Sequence, residues 1–281
     1  PKFDVVFIDE AQDLSLMQWD MAKTIWNKTE NAFIAGDDDQ AIFRWAGADV
    51  DSFINLKGTY LPLTQSYRIP TKVHNLAMNI INKITNRIPK TWQPKTNEGT
   101  LHRHFDVDSI DMTTGDWLVL SRTRHMLNDI EESLYRQGLY YKNRYKRNDE
   151  KDLHESATAW ESGLKGQPLS YKQVEKISKY MSDKHWQKKK IKGMTKGGFY
   201  NIDQLVTDYG LQIKTTWYEA FDNAGQTRVN YLRKMRKNGE KLNEKPRIEM
   251  STIHGAKGGE ATNVVLMTDL TQNTMKGYER N

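Results

Sequence analysis

The chain has 281 residues, 37% of them apolar and 10% aromatic, which suffices for two cored domains. No apolar run approaches the roughly 20 residues of a membrane span, and the N-terminus lacks the charged-then-apolar layout of a secretion signal. The absence of cysteine excludes disulfides and thiolate metal sites and fits a reducing, cytoplasmic setting. The net charge of +6 is uneven: 24 of the 42 Lys and Arg but 13 of the 36 Asp and Glu lie between Lys142 and Arg247, a balance of +11 there and −5 elsewhere. That concentration leaves two readings open, a solvated face or a polyanion partner. The chain opens at Pro1 on the edge of a strand, without an initiating Met, which predicts a segment of a longer polypeptide.

The first predicted element is the apolar run Val5-Val6-Phe7-Ile8, read as a strand buried on both faces. It ends in Asp9-Glu10-Ala11-Gln12-Asp13, at the carboxyl end of the strand, where open α/β sheets bind ligands. Adjacent acids there suit Mg²⁺ chemistry, one carboxylate holding the ion and its neighbour orienting or deprotonating water. Asp9 is the expected metal carboxylate and Glu10 the expected base. A helix is predicted from Ser15 to Trp26 and a second buried strand over Ala32–Ala35, ending at Gly36-Asp37-Asp38-Asp39-Gln40. Gln40 carries both a donor and an acceptor, useful beside a terminal phosphate and its attacking water. Phe43 and Trp45 follow, either as core or as stacking faces for the bases of a single strand.

FIDEAQD followed by GDDDQAIFRWAGA resembles motifs II and III of the UvrD/Rep-like superfamily 1 DNA helicases, in internal order and in the gap between blocks. The resemblance implies an α/β fold of RecA-like P-loop NTPase motor domains, the first partial, with a mostly helical inserted subdomain. It implies that Asp9 and Glu10 are the magnesium and catalytic-base acids, that Gln40 senses the γ-phosphate, and that Phe43 and Trp45 contact single-stranded DNA. The chain departs from the family in having Ala46 where an arginine is usual, so a contact is absent there or comes from Arg44.

Leu63-Thr64-Gln65-Ser66-Tyr67-Arg68-Ile69-Pro70 comes next, with Pro70 marking a break and Thr71 capping a helix. It is similar to motif IV, where the tyrosine stacks on adenine and the arginine reaches the γ-phosphate, roles that fall to Tyr67 and Arg68. A strand is expected over Gly99–Phe105, with His102 and His104 on one face and no metal, and another at Trp117–Leu120. The second leads into Arg122, Arg124 and a helix closed by Gly138. Arg122 and Arg124 are either surface charge or DNA-backbone contacts. Lys142 to Arg247 reads as helical and basic with interspersed aromatics, resembling the family's accessory insertion; its Lys192–Gly198 loop lacks the spacing of a phosphate-gripping loop. The block Thr252-Ile253-His254-Gly255-Ala256-Lys257-Gly258-Gly259-Glu260 resembles motif V, which gives Thr252 and His254 to single-stranded DNA and Glu260 to the ATP ribose. Gly259 stands where an apolar residue is usual and is expected to loosen the loop.

The expected domains are 1–70, the end of a first motor domain; 71–141 and 247–281, two segments of a second; and 142–246, the insertion. The implied activity is that of an ATP-dependent DNA helicase, moving 3′ to 5′ by family habit, with ATP and Mg²⁺ as cofactors and single-stranded DNA and the single/double-strand junction as partners, working as a monomer in repair or replication. Neither a Walker A loop nor motif VI is found in the 281 residues, so this segment by itself is expected to hydrolyse no ATP. Two alternatives remain: a non-catalytic DNA-binding relic, and the helicase module of a recombination nuclease.

Overall fold

The protein is described here from a computed structural model that covers residues 3–146, 150–272 and 275. Its contacts divide it into two units, Pro1–His104 and Phe105–Asn281. The boundary expected at 70/71 lies within the first unit, because the strand that ends at Pro70 pairs with one formed beyond it.

In the first unit, β1 (Phe3–Ile8) is followed by α1 (Leu16–Trp26) and β2 (Thr29–Ile34), and the two strands pair in parallel with Phe7 opposite Phe33 and Ile8 opposite Ile34. Ser15 starts α1 through a capping box with Gln18, satisfying donors that a helix start leaves orphaned. Only one face of the strand pair is covered. Ile8 and Ile34 pack with Leu14 and Trp26 on the buried Ala11, Trp19 and Phe53, the last from α2 (Val50–Ile54). On the other face Phe3, Val5, Phe7 and Phe33 are exposed, and Phe7 stacks on Phe33 at 5.1 Å. The expectation of burial on both faces is therefore corrected: two strands supply an apolar run but no second layer within the unit. β3 (Gln65–Pro70) pairs in parallel with β4 (Gln93–Lys95), with α3 (Thr71–Ile81) between them. Pro70, not Thr71, caps α3; its extended backbone, ψ 161°, lets the strand run into the helix. No strand forms over residues 99–105: Gly99, at φ +69°, turns the chain, and the segment finds no ladder partner among the described residues.

The second unit is built on a four-stranded parallel sheet. β5 (Trp117–Ser121) and β9 (Ile248–Thr252) lie at its centre, flanked by β10 (Asn263–Leu266) and β6 (Tyr141–Asn143) in the order β10-β5-β9-β6. α4 (Leu127–Gln137) links β5 to β6 and packs Leu127, Ile130 and Leu134 into the core. Between β6 and β9 the chain runs through α5 (Glu150–Leu164), β7 (Leu169–Ser170), α6 (Tyr171–Lys179), α7 (Lys188–Ile191), β8 (Phe199–Tyr200), α8 (Ile202–Thr207), α9 (Trp217–Ala220) and α10 (Gln226–Lys237). This insertion extends the same apolar core: Trp160, Trp186 and Phe221 are almost wholly buried, and the two indoles donate to the carbonyls of Thr215 (2.8 Å) and Tyr209 (3.0 Å). Among the described residues no helix is long and apolar enough to cross a membrane.

Gly138 closes α4 at φ +74°, and a Cβ there would lie 2.3 Å from Lys234 Cβ and 3.1 Å from its backbone carbon on α10. Gly166, at φ +90°, has nothing within 4 Å of such a Cβ. Gly166→Ala is expected to cost about 1–2 kcal/mol for left-handed backbone alone, and Gly138→Ala more, because α10 must shift. Urea unfolding of both variants tests this; equal losses would mean that the α4–α10 approach carries no constraint.

Candidate functional site

Because β1 and β2 run parallel, the turns that follow them emerge at one edge. Backbone bonds tie the tips together: Ala35 N–H donates to Ile8 C=O at 2.8 Å and Ala11 N–H to Ala35 C=O at 3.0 Å. Glu10 adopts left-handed backbone (φ 51°, ψ 37°), and its N–H donates to Asp9 Oδ1 at 2.8 Å. Gln12, 1% exposed, bridges the two turns: its Nε2 donates to Glu10 Oε2 at 2.7 Å and its Oε1 accepts the Asp37 N–H at 3.0 Å. Gly36 makes that bridge possible, since a Cβ there would sit 2.5 Å from Gln12 Oε1 and 2.8 Å from the Phe53 ring. Gln40 Nε2 donates to Asp37 Oδ2 at 2.7 Å. Glu10, Gln12, Asp37 and Gln40 thus form one hydrogen-bonded chain, with Asp9 beside it. The sequence suggested the first and last members; Gln12 was missed, although a polar side chain just beyond a buried strand end is the signal that finds it.

The acidic triplet is held from elsewhere in the unit. Arg87 grips Asp39 in a bidentate pair, Nε to Oδ1 at 2.8 Å and Nη2 to Oδ2 at 2.6 Å. Lys90 reaches Asp37 at 2.8 Å, Asp39 at 3.2 Å and Asp38 at hydrogen-bonding contact, while Ile88 N–H donates to Asp38 Oδ2 at 2.8 Å. The side chains are nearly buried, Asp38 and Asp39 at 3% and 4% exposed and Arg87 and Lys90 at 13% and 14%. Burial alone would raise the Asp39 carboxyl, but the hydrogen bonds from Arg87 and Lys90 outweigh it and hold it below the ordinary carboxylate range. Burial alone would lower Lys90, and its bonds to Asp37 and Asp38 reverse that and raise it. Neither cation stood out in the sequence, because each lies some 50 residues beyond the acid it holds.

Past Gln40, Trp45 stands 74% exposed in a short helical turn that Gly47 ends at φ +96°; Phe43 is half-buried. Arg44 pairs with Asp51 at 3.2 Å, so its guanidinium is committed to α2. Tyr67 on β3 presents an 85% exposed ring beside the exposed Arg68.

In the second unit, Arg122 and Arg124 follow β5, and Thr252 and His254 follow from β9. Arg122, Arg124 and Glu260 are exposed, and His254 is half-buried. Thr252 is 9% exposed and its hydroxyl is used internally: it accepts the Gly255 N–H at 3.1 Å and meets the Tyr145 hydroxyl at 2.8 Å. Arg124 lies 4.3 Å over the Tyr145 ring, and Arg144 donates to the Gly255 carbonyl. Burial alone would raise the Tyr145 phenol, but hydrogen bonds to Ser251 and Thr252, with the Arg124 charge, hold it below its ordinary value. Tyr145 and Arg144, just past β6, were missed by sequence reading and knit Arg124 to the 252–256 turn. Gly259 tightens its loop instead of loosening it: its N–H donates to Ala256 C=O at 2.8 Å, and a Cβ would lie 2.9 Å from that oxygen.

Among the described residues no group of three or more His, Cys, Asp or Glu is arranged to hold a metal ion. Mg²⁺ does not require one, since it binds through one or two carboxylates and completes its shell with water and phosphate oxygens. Asp9, exposed at a strand tip with Oδ1 engaged by its neighbour's N–H, fits that role.

Fold and site together define an α/β protein whose parallel strands carry acids and an amide at their carboxyl ends. Residues 1–61 match the family model of the UvrD/REP helicase N-terminal domain. The chain is 29% identical over 163 residues to the ATP-dependent DNA helicase PcrA of Bacillus subtilis (strain 168), an alignment covering 50% of this chain and 22% of that protein. It is 32% identical over 107 residues to the PcrA of Staphylococcus aureus (strain Mu50 / ATCC 700699), covering 36% and 15%, and 27% identical over 163 residues to that of Leuconostoc citreum, covering 50% and 22%. These matches make the chain similar to UvrD/Rep-like superfamily 1 helicases, with the family model confined to its first 61 residues. It spans about a fifth of the length of the B. subtilis and L. citreum relatives.

Removing one partner of a buried ion pair leaves an uncompensated charge, so Arg87→Met is expected to destabilise the protein by about 3–5 kcal/mol at pH 7. Asp39 binds fewer protons folded than unfolded, so its share is complete above about pH 4 and is lost as pH falls through its lowered value. Lys90 works in the opposite direction: its share is complete below about pH 10 and is lost as pH rises through its raised value. The difference between wild type and Arg87→Met should therefore stay level at neutral pH and shrink on acidification. Denaturation across pH reads it, and a gap that widens toward acid contradicts the ion-pair account.

Proposed function

We propose that this chain is part of an ATP-dependent DNA helicase that couples Mg²⁺-ATP hydrolysis to movement, 3′ to 5′, along single-stranded DNA. The observation that carries the proposal is the hydrogen-bonded run Glu10–Gln12–Asp37–Gln40, which joins the two residues that must act on one water and one phosphate. Asp9 holds the magnesium, whose charge offsets that of the phosphates. Glu10 orients and deprotonates the attacking water. Gln40, with a donor and an acceptor, reads the γ-phosphate; Arg68 offsets its developing charge and Tyr67 offers a face to the adenine. By its resemblance to motif V, Glu260 is the acid assigned to a nucleotide ribose.

Trp45 and Phe43 stack bases, and His254, Arg122 and Arg124 line the second unit's share of the strand. Thr252 acts there by shaping the 252–256 turn, its hydroxyl being held by Tyr145 and Gly255. RecA-like motor folds accord with the parallel sheets once the boundary at 70/71 is moved to follow His104, and the basic insertion 142–246 suits duplex phosphates at the junction without reading sequence. We place the protein in the cytoplasm, acting as a monomer in DNA repair or replication.

The full-length protein is expected to hydrolyse ATP in a DNA-stimulated manner, whereas residues 1–281 alone, without a Walker A sequence, are expected to turn over none. Glu10→Gln should retain nucleotide binding and lose turnover by about 100-fold or more; an unchanged rate in that variant would falsify the base assignment. A full-length protein that binds single strands tightly yet never hydrolyses ATP would favour the DNA-binding relic. Trp45→Ala should weaken binding of an oligo-dT by about 1–3 kcal/mol, as loss of one stacked base does, with its melting temperature unchanged. Fluorescence anisotropy at fixed salt measures this, and wild-type affinity would remove Trp45 from the DNA path.

A further inference from the structure

The ionic cluster behind Asp37–Gln40 has a consequence beyond stability. Asp37 divides its oxygens among three partners: Oδ1 takes Lys90 Nζ at 2.8 Å and the Asp39 N–H at 3.2 Å, and Oδ2 takes Gln40 Nε2 at 2.7 Å. Its N–H in turn holds Gln12, which holds Glu10. Without Lys90 only the longer bond from the Asp39 N–H holds Oδ1, so the carboxylate, and with it the Gln40 amide, is less firmly oriented. Arg87 occupies both Asp39 oxygens, which leaves Lys90 a longer contact there, 3.2 Å, than the 2.8 Å it makes with Asp37.

We propose that Lys90, backed by Arg87, is a positioning residue that orients the Gln40 amide through Asp37, so that the loop after α3 sets the geometry of phosphate sensing. This rests on the reading of Gln40 and Glu10 given above. Lys90 touches neither nucleotide nor DNA in this scheme; it also pairs with Asp38 and Asp39, but Asp37 is the member of the triplet that bonds Gln40. A residue acting that way alters the rate of the bound complex more than the affinity for substrate, and its loss has nothing to disturb once Gln40 is gone.

The test is steady-state, DNA-stimulated ATP hydrolysis by the full-length protein. Lys90→Met is expected to lower kcat about 10- to 100-fold, the usual consequence of misplacing a reacting group by about an ångström, with KM for ATP within about threefold. Lys90→Arg, which keeps a cation in reach of Asp37, should recover most of kcat. In a Gln40→Ala background Lys90→Met should have no further effect. Should Lys90→Met not fold, Asp37→Asn is read in its place: its NH2 replaces one of the two acceptor oxygens, so that either Lys90 loses its acceptor or Gln40 must turn its amide over, and the same loss of kcat and the same silence in Gln40→Ala are expected. A wild-type kcat in Lys90→Met, a change confined to KM, or an undiminished loss in the Gln40→Ala background overturns the positioning role, and leaves the functional reading standing if Glu10→Gln is inactive. A wild-type protein that hydrolyses no ATP removes both together.

Discussion

Three consecutive carboxylates, two of them almost buried, cannot stay ionised in a turn unless cations come to them. That requirement organises the first unit. α3 contributes no buried side chain, and the apolar cluster under β1 and β2 has only Ala11, Trp19 and Phe53 at its centre, with Ile88 the nearest contribution from beyond α3. The segment from β3 to β4 is therefore joined to the β1-α1-β2 segment largely by Arg87 and Lys90 on the acids, with Asn86 also donating to Asp51 at 2.8 Å. Ionic joints are directional where apolar ones are not. A bidentate guanidinium fixes both distance and plane, so the arrangement that neutralises the triplet also orients the turn carrying Gln40.

The second unit solves its packing differently. Val119, Ile248, Met250 and Val265 of its sheet share one apolar cluster with the insertion, although Val264 and Leu266 of the edge strand stay exposed, and there the polar groups are accessory to a formed core. Charge composition overstates the insertion's capacity for polyanions, since several of its cations are committed internally: Arg236 to Glu161, Arg228 to Glu150, Lys214 to Asp203, and Lys176 to Asp152 and Glu155. Lys188, Lys189 and Lys190 on α7 are exposed and, with Lys192, form the densest run of cations outside those pairs.

Elements at the strand tips were legible in the sequence because a strand's end, its acids and the following glycine are neighbours along the chain. What pairs across the chain was not. Gln12 reads as one more polar loop residue until Gly36 brings the second turn against it, and Arg87 and Lys90 read as surface charge until the fold sets them on Asp37–Asp39. Burial of β1 was misread for a related reason: a run of Val, Phe and Ile reports how apolar a strand is, not how many layers cover it. Thr252 shows the same limit at a single atom, its type suiting a DNA contact while its hydroxyl is already held by Tyr145 and Gly255.

Glu10 gives one further reason to treat the tip of β1 as a built site. Among the described residues it is the one non-glycine with positive φ, a conformation that costs about 1–2 kcal/mol for a residue with a side chain. A solvated loop would relax that strain within one or two residues. Here it persists because each neighbour is tied: the Glu10 N–H to Asp9, its carboxylate to Gln12, and the next N–H, that of Ala11, to the end of β2. Strain held by that many bonds fixes the Glu10 carboxylate in one direction, which is what the base role proposed for it would require.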